Sequence, residues 1–161
     1  MPNGISVFGW IHTVISLIAL AFGTFALLRF GEISWRTFFG KTYILATIFT
    51  CLTGFGIFAH GGIAPGHILG VVILVVLFFA FRGDSHHFGK ASSYVATIGY
   101  SLSYFLSWIP GVTETFTRFP VGHPLATGPG DPMVKLGIGV CFLGFLVGTT
   151  AQVWRVRKTA K

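Results

Sequence analysis

Charge is what this sequence has least of. Only 9% of its 161 residues are Asp, Glu, Lys or Arg, against 53% hydrophobic, a balance far more apolar than that of a soluble domain. Residues 5–28 and 68–81 carry no charge at all, so a water-soluble fold is excluded and lipid is the expected solvent. Cysteine is scarce too. Cys51 and Cys141 both lie in apolar runs without CxxC spacing, which leaves no disulfide framework and no zinc knuckle. None of the four acids, Glu32, Asp84, Glu114 and Asp131, falls well inside an apolar run, so the midplane carboxylate of many proton-coupled carriers is missing. Ser/His/Asp triads, Walker loops and GxGxxG fingerprints are absent. The opening Met1-Pro2-Asn3-Gly4 lacks a basic n-region, so the first apolar run is expected to be retained despite the Ala19-Leu20-Ala21 triplet.

What is present is apolar length. Measured against the roughly 20 residues that a helix needs to cross hydrocarbon, the sequence predicts five spans near 5–28, 42–60, 65–81, 91–110 and 134–154. Alternation of the kind a barrel needs is missing, so an all-α membrane bundle is expected. The net charge of +7 would suggest nucleic acid in a soluble protein. Here the basic residues flank the spans and read as orientation signals and lipid-headgroup anchors, with no nucleic-acid partner. Arg29, Arg36 and Lys41 follow the first span, Arg82 and Lys90 the third, and the tail 155–161 holds four more. Those three regions are expected on the cytoplasmic side, which puts the N-terminus outside and the C-terminus inside.

The two inner connections resemble each other. Arg29-Phe30-Gly31-Glu32 leads to Phe39-Gly40-Lys41, and Arg82-Gly83-Asp84 leads to Phe88-Gly89-Lys90. His12 stands 17 residues before Arg29 and His67 stands 15 before Arg82. The order suggests a duplicated hairpin, 5–60 and 65–110, related by an axis along the membrane normal. A four-helix bundle from two parallel repeats, an outer loop 111–133 and a fifth helix is therefore the expected architecture.

On that scheme His12 and His67 lie at nearly equal depth toward the outer face, roughly 25 and 22 Å from the inner arginines at 1.5 Å per residue. His12, Ser16, Ala19, Gly23 and Ala26 form a small and polar stripe of the type that marks helix contacts. Gly70 leaves space on the His67 face, and His60 lies about a turn further out. Facing imidazoles at His12 and His67 would suit haem b axially, and with His60 would suit copper or zinc. The competing reading gives His12 a cross-helix hydrogen bond and makes His60 and His67 outer helix ends in the headgroup zone. His86 and His87 are expected at the inner headgroups and His123 in the outer loop.

Span four carries hydroxyls on two faces, Tyr94, Thr97, Ser101 and Tyr104 on one and Tyr100, Ser103 and Ser107 on another. It should be central, with hydroxyls that most often bond between helices and otherwise would bind a quinone, orient a histidine or serve a proton path. Gly137, Gly144 and Gly148 promise close contacts for span five, on the repeat or on another subunit. Prolines 120, 124, 129 and 132 rule out a further helix of any length in the outer loop, although 113–119 has the Glu114 to Arg118 spacing of a helical turn.

Trp35-Arg36-Thr37-Phe38-Phe39-Gly40-Lys41-Thr42-Tyr43 and Gly83-Asp84-Ser85-His86-His87, followed by Tyr94, resemble a family of bacterial predicted membrane proteins known only as a domain of unknown function. The likeness covers roughly residues 9–105. Trp35 stands where that family shows the first of two basic residues. The family implies a membrane protein and no activity. More distantly, histidine-bearing hairpin pairs resemble b-type cytochrome membrane anchors, which often carry ligands at both depths; the matched pair here is only at the outer one. Three functions remain open: a single-haem or copper redox protein that exchanges electrons with a quinone, an accessory subunit of a larger membrane complex, and a small-solute carrier or channel.

Overall fold

A computed structural model describes residues 7–57 and 65–159 of the chain. Among these residues there are five α-helices and no strand: α1 (Val7–Phe30), α2 (Phe38–Gly54), α3 (Pro65–Asp84), α4 (Ser92–Arg118) and α5 (Pro132–Thr159). α1, α3 and α5 are long and apolar enough to cross a membrane, and α2 is a shorter apolar helix. α1 packs along α2 and α3 along α4, α2 meets α3, and α1 meets α4 more sparsely. α1 to α4 thus form a ring of neighbours with α5 laid against α4 from outside. The core of the ring holds Ala19 and Ala26 from α1, Tyr43, Ile44 and Cys51 from α2, Ile73, Leu77 and Ala80 from α3, and Tyr100 from α4.

Local chemistry sets the helix ends. Gly31, at φ +71°, closes α1 with its amide on the Leu27 carbonyl, a left-handed cap that glycine adopts without a Cβ penalty. Thr37 N-caps α2, its hydroxyl accepting from the Gly40 amide at 3.1 Å. Pro65 and Pro132 occupy first helical positions, where the missing N–H is harmless. Asp131 caps α5: one carboxylate oxygen accepts from the Met133 amide at 2.9 Å and the other from the Thr127 amide at 3.0 Å.

Two boundaries differ most from the expected spans. The second helix ends at Gly54, a turn and a half before the expected 60, and residues 58–64 lie outside the described part. The fourth does not stop at 110 but runs through Pro110 to Arg118. One interior proline removes one hydrogen bond, while the Thr113, Thr115 and Thr117 hydroxyls bond back to carbonyls four residues earlier and Glu114 pairs with Arg118. Residues 119–131 contain no helix.

The sequence match between the inner connections does not extend to backbone conformation. Gly31 is left-handed, whereas its counterpart Gly83 is helical and pressed on α4, where a Cβ would stand 2.7 Å from the Ala96 amide nitrogen. Gly40 is buried under Ser34, whereas Gly89 is left-handed with open space around it.

A Cβ on Gly40 would overlap the Ser34 backbone, but one on Gly139 would meet nothing within 4 Å. Gly40→Ala should therefore destabilise the protein by about 2–4 kcal/mol, and Gly139→Ala should be neutral or stabilising by up to about 1 kcal/mol, read as unfolding in detergent. The amide bonds from Thr127 and Met133 hold the Asp131 carboxyl below its ordinary value. A depressed carboxylate contributes stability above its unfolded pKa and loses it as pH falls through the folded one. Hydrogen exchange at the Met133 amide should thus stay slow at neutral pH and speed up, beyond the intrinsic trend, only below the usual aspartate range; Asp131→Asn should flatten that response.

Candidate functional site

The histidines come first because the sequence singles them out. His12 Nδ1 lies 3.0 Å from the Thr53 hydroxyl on α2. Thr53 Oγ1 directs its own proton at the Phe49 and Thr50 carbonyls, 2.8 and 3.1 Å away, so the imidazole is the donor and carries its hydrogen on Nδ1. The ring also touches Gly54, where a Cβ would be 3.3 Å from it. His67 instead stacks on Phe55, the ring centres 6.4 Å apart and 14° from parallel. Phe55 fills the space beside Gly70, 3.0 Å from where a Cβ would be. At 3.6 residues per turn, Thr50, Thr53 and Gly54 share one face of α2, and Cys51 and Phe55 lie about 120° round it. The two imidazoles thus engage different faces of α2, not one another's. Among the described residues no group of three His, Cys, Asp or Glu is placed to hold a metal, and His60 lies outside them.

The basic residues collect at one end. Arg29 and Arg82 sit in the last turns of α1 and α3, Lys41 in the first turn of α2, and Arg36 and Lys90 in the connections, all exposed. His86 and His87 share that end, and His123 lies in the loop at the other. Sequence reasoning missed a clasp here. The Asp84 carboxylate accepts from the Trp35 amide at 3.1 Å and the Ser34 hydroxyl at 3.3 Å, and faces Arg36 Nε at 3.4 Å. Arg36 Nη2 donates to the Asp84 carbonyl at 3.3 Å and lies 3.0 Å from His86 Nε2. Trp35, gripped edge-on against Phe81, carries the Lys41 ammonium over its face at 5.2 Å. One acid thus ties the 31–37 connection to the end of α3.

α5 is held by polar contacts at the same end. Gln152, only 5% exposed, donates from Nε2 to the Gly31 carbonyl at 2.9 Å and accepts at Oε1 from Ser101 at 2.7 Å. Arg155 donates to the same carbonyl at 2.6 Å. At the opposite end Gly137 lets α5 approach Val112 and Phe116 of α4. Between these two fastenings runs a half-open groove of about 200 Å3, walled by Leu27, Tyr104, Phe105, Trp108 and Phe145 and floored by Gly144 and Gly148. Those two glycines make no close helix contact, since a Cβ on either would meet nothing within 4 Å. Cys141, Thr149, Ser101 and Gln152 are the polar groups of the lining, and the Thr149 hydroxyl is buried with no hydrogen-bond partner.

The chain matches no protein-family model, and neither a curated protein nor a solved structure is significantly similar to it.

Replacing Asp84 with Ala leaves the Trp35 amide, the Ser34 hydroxyl and Arg36 without their acceptor, and should cost about 1–3 kcal/mol in detergent unfolding. Arg36→Ala should cost about 0.5 kcal/mol or less, because that guanidinium is 67% exposed and its pairing is screened by water.

Proposed function

We propose that the chain is a five-span protein of a bacterial inner membrane, N-terminus outside, that binds a membrane-soluble ring-headed amphiphile of the quinone class in the groove between α4 and α5. The span count is supported by the way α2 and α4 are packed within one ring with the long apolar α1 and α3. The orientation is supported by the basic residues at the shared end of all five helices.

The groove itself is the observation that carries the reading. Close packing is the rule in membrane bundles, and glycines are used there to bring backbones together. Gly144 and Gly148 instead leave a flat, open floor. Aromatic walls with a few polar groups in an apolar cleft are the usual make-up of a small-molecule site, and a planar ring can lie against Trp108 and the stacked pair of Phe105 and Phe145. The Thr149 hydroxyl, unpaired and buried behind the lining, would become a donor for a quinone oxygen on rotation of its side chain into the groove. This reading does not depend on haem or metal, and no electron transfer is routed through the histidines. The alternative is an accessory subunit, with a partner's helix lying over the same two glycines.

Trp108 lines the groove, which gives a direct test. Titrating the detergent-solubilised protein with a short-chain ubiquinone should quench the Trp108 fluorescence saturably, and Trp108→Phe should remove the saturable component. Gly148→Leu, which fills the floor, should weaken binding at least tenfold. Unsaturable quenching equal in all three proteins would reject the quinone reading. A cross-link from Gly148→Cys to a second polypeptide in native membranes would favour the accessory one.

A further inference from the structure

The groove does not account for the polar interior of the α1–α4 ring, which is a separate feature. Tyr43 is fully buried and hydrogen-bonds Ser103 on α4 at 2.8 Å, both side chains lacking any exposure. The Ser107 and Thr47 hydroxyls lie close to the same phenol. Three further hydroxyl groups here have buried oxygens with no hydrogen-bond partner: Thr47, 2% exposed, Thr50, and Tyr100, 1% exposed. A buried hydroxyl without a partner costs about 1–3 kcal/mol, and three within one small bundle would be a heavy burden unless water completes them.

These groups are not scattered. Tyr43, Thr47, Thr50 and Thr53 follow one another at spacings of four, three and three along α2, one face of a helix, with a rise of roughly 4.5–6 Å between neighbours. At one end Thr53 meets His12. At the other, Tyr100 lies within electrostatic reach of Asp84; its side chain leans toward the start of its own helix, the end where Asp84 sits. Hydroxyl groups about one helix turn apart that do not meet directly are near enough for a single water to join.

We propose that the orphan hydroxyls of Thr47, Thr50 and Tyr100 are bridged by internal water molecules, and that the resulting column conducts protons between His12 at one end of the bundle and Asp84 at the other. A proton taken up at the free imidazole nitrogen displaces the Nδ1 proton onto the Thr53 oxygen, whose own proton swings from the Phe49 and Thr50 carbonyls to a bridging water. Each oxygen in turn passes one proton on and receives one, and the last is released at the Asp84 end. No group is oxidised or reduced, and each O–H is restored when the chain of donors turns over. A hydroxyl and water path needs no midplane carboxylate, which this chain lacks.

The test uses the full chain in liposomes that enclose a pH-sensitive dye, with potassium and valinomycin clamping the potential. Proton entry should be at least tenfold faster than in protein-free vesicles. Tyr100→Phe and Thr47→Val, each of which keeps the side-chain shape, should each slow it several-fold. Radiolytic footprinting of the native protein supplies a second reading that needs no variant: ordered water should give labelling of Tyr43 and Tyr100 despite their burial. Proteoliposomes no faster than protein-free vesicles would overturn the proposal. So would unchanged flux in both variants, or unlabelled tyrosines in a protein whose exposed tryptophans are labelled.

Discussion

The hydrogen bond from Tyr43 to Ser103 is the contact around which the rest of the bundle is arranged. It reaches across the ring from α2 to α4, helices whose more extensive packing is with their neighbours α1 and α3. A phenol in hydrocarbon needs a partner, because its unpaired oxygen would cost several kcal/mol where no water competes. The surroundings are shaped to let it reach one. Gly23 on α1 clears the volume, since a Cβ there would come within 2.9 Å of the Tyr43 ring and 2.7 Å of Tyr104. Tyr104 then packs edge-on against Tyr43 and bonds the Thr24 hydroxyl at 2.6 Å, which fastens α1 to α4. One missing side chain thus admits two aromatic rings, and their hydroxyls supply two cross-helix bonds.

Much of this was written in the chain as pattern. Apolar length and the lack of charge give the all-helical class, with three helices long and apolar enough to cross a membrane, and the hydroxyls on two faces of the fourth apolar run make α4 central, the helix that α3, α5 and α1 all touch. The small stripe from His12 to Ala26 marks the buried side of α1, where Ala19, Gly23 and Ala26 are enclosed. The stripe on α2 was equally readable, at Tyr43, Thr47, Thr50 and Thr53, but threonines in an apolar run bond so often to their own helix that spacing alone does not flag them. What spacing cannot give is where a side chain finds its partner. Equal depth suggested that His12 and His67 face each other, yet depth leaves the rotation of each helix open, and Thr53 and Phe55 take the two rings on different faces of α2.

Gly144 and Gly148 show the same limit from the other side. GxxxG spacing in an apolar helix predicts a close neighbour, and within this chain that role belongs to Gly137, seated on Val112 and Phe116. The difference follows from the two ends of α5. Gln152 and Arg155 both reach the Gly31 carbonyl, an acceptor just past the end of α1 and outside its helical ladder.

Held at that point and at Gly137, α5 is pinned to α4 along one edge and stands away from α1 along the other. The gap opens where the glycines face. A larger residue at either position would close it without disturbing either fastening, because nothing in the chain lies within 4 Å of those Cβ positions. Packing within this chain therefore does not require glycine there. Glycine in a helix interior costs about 1 kcal/mol relative to alanine, and at Gly144 and Gly148, unlike Gly137, no contact within the chain offsets that cost.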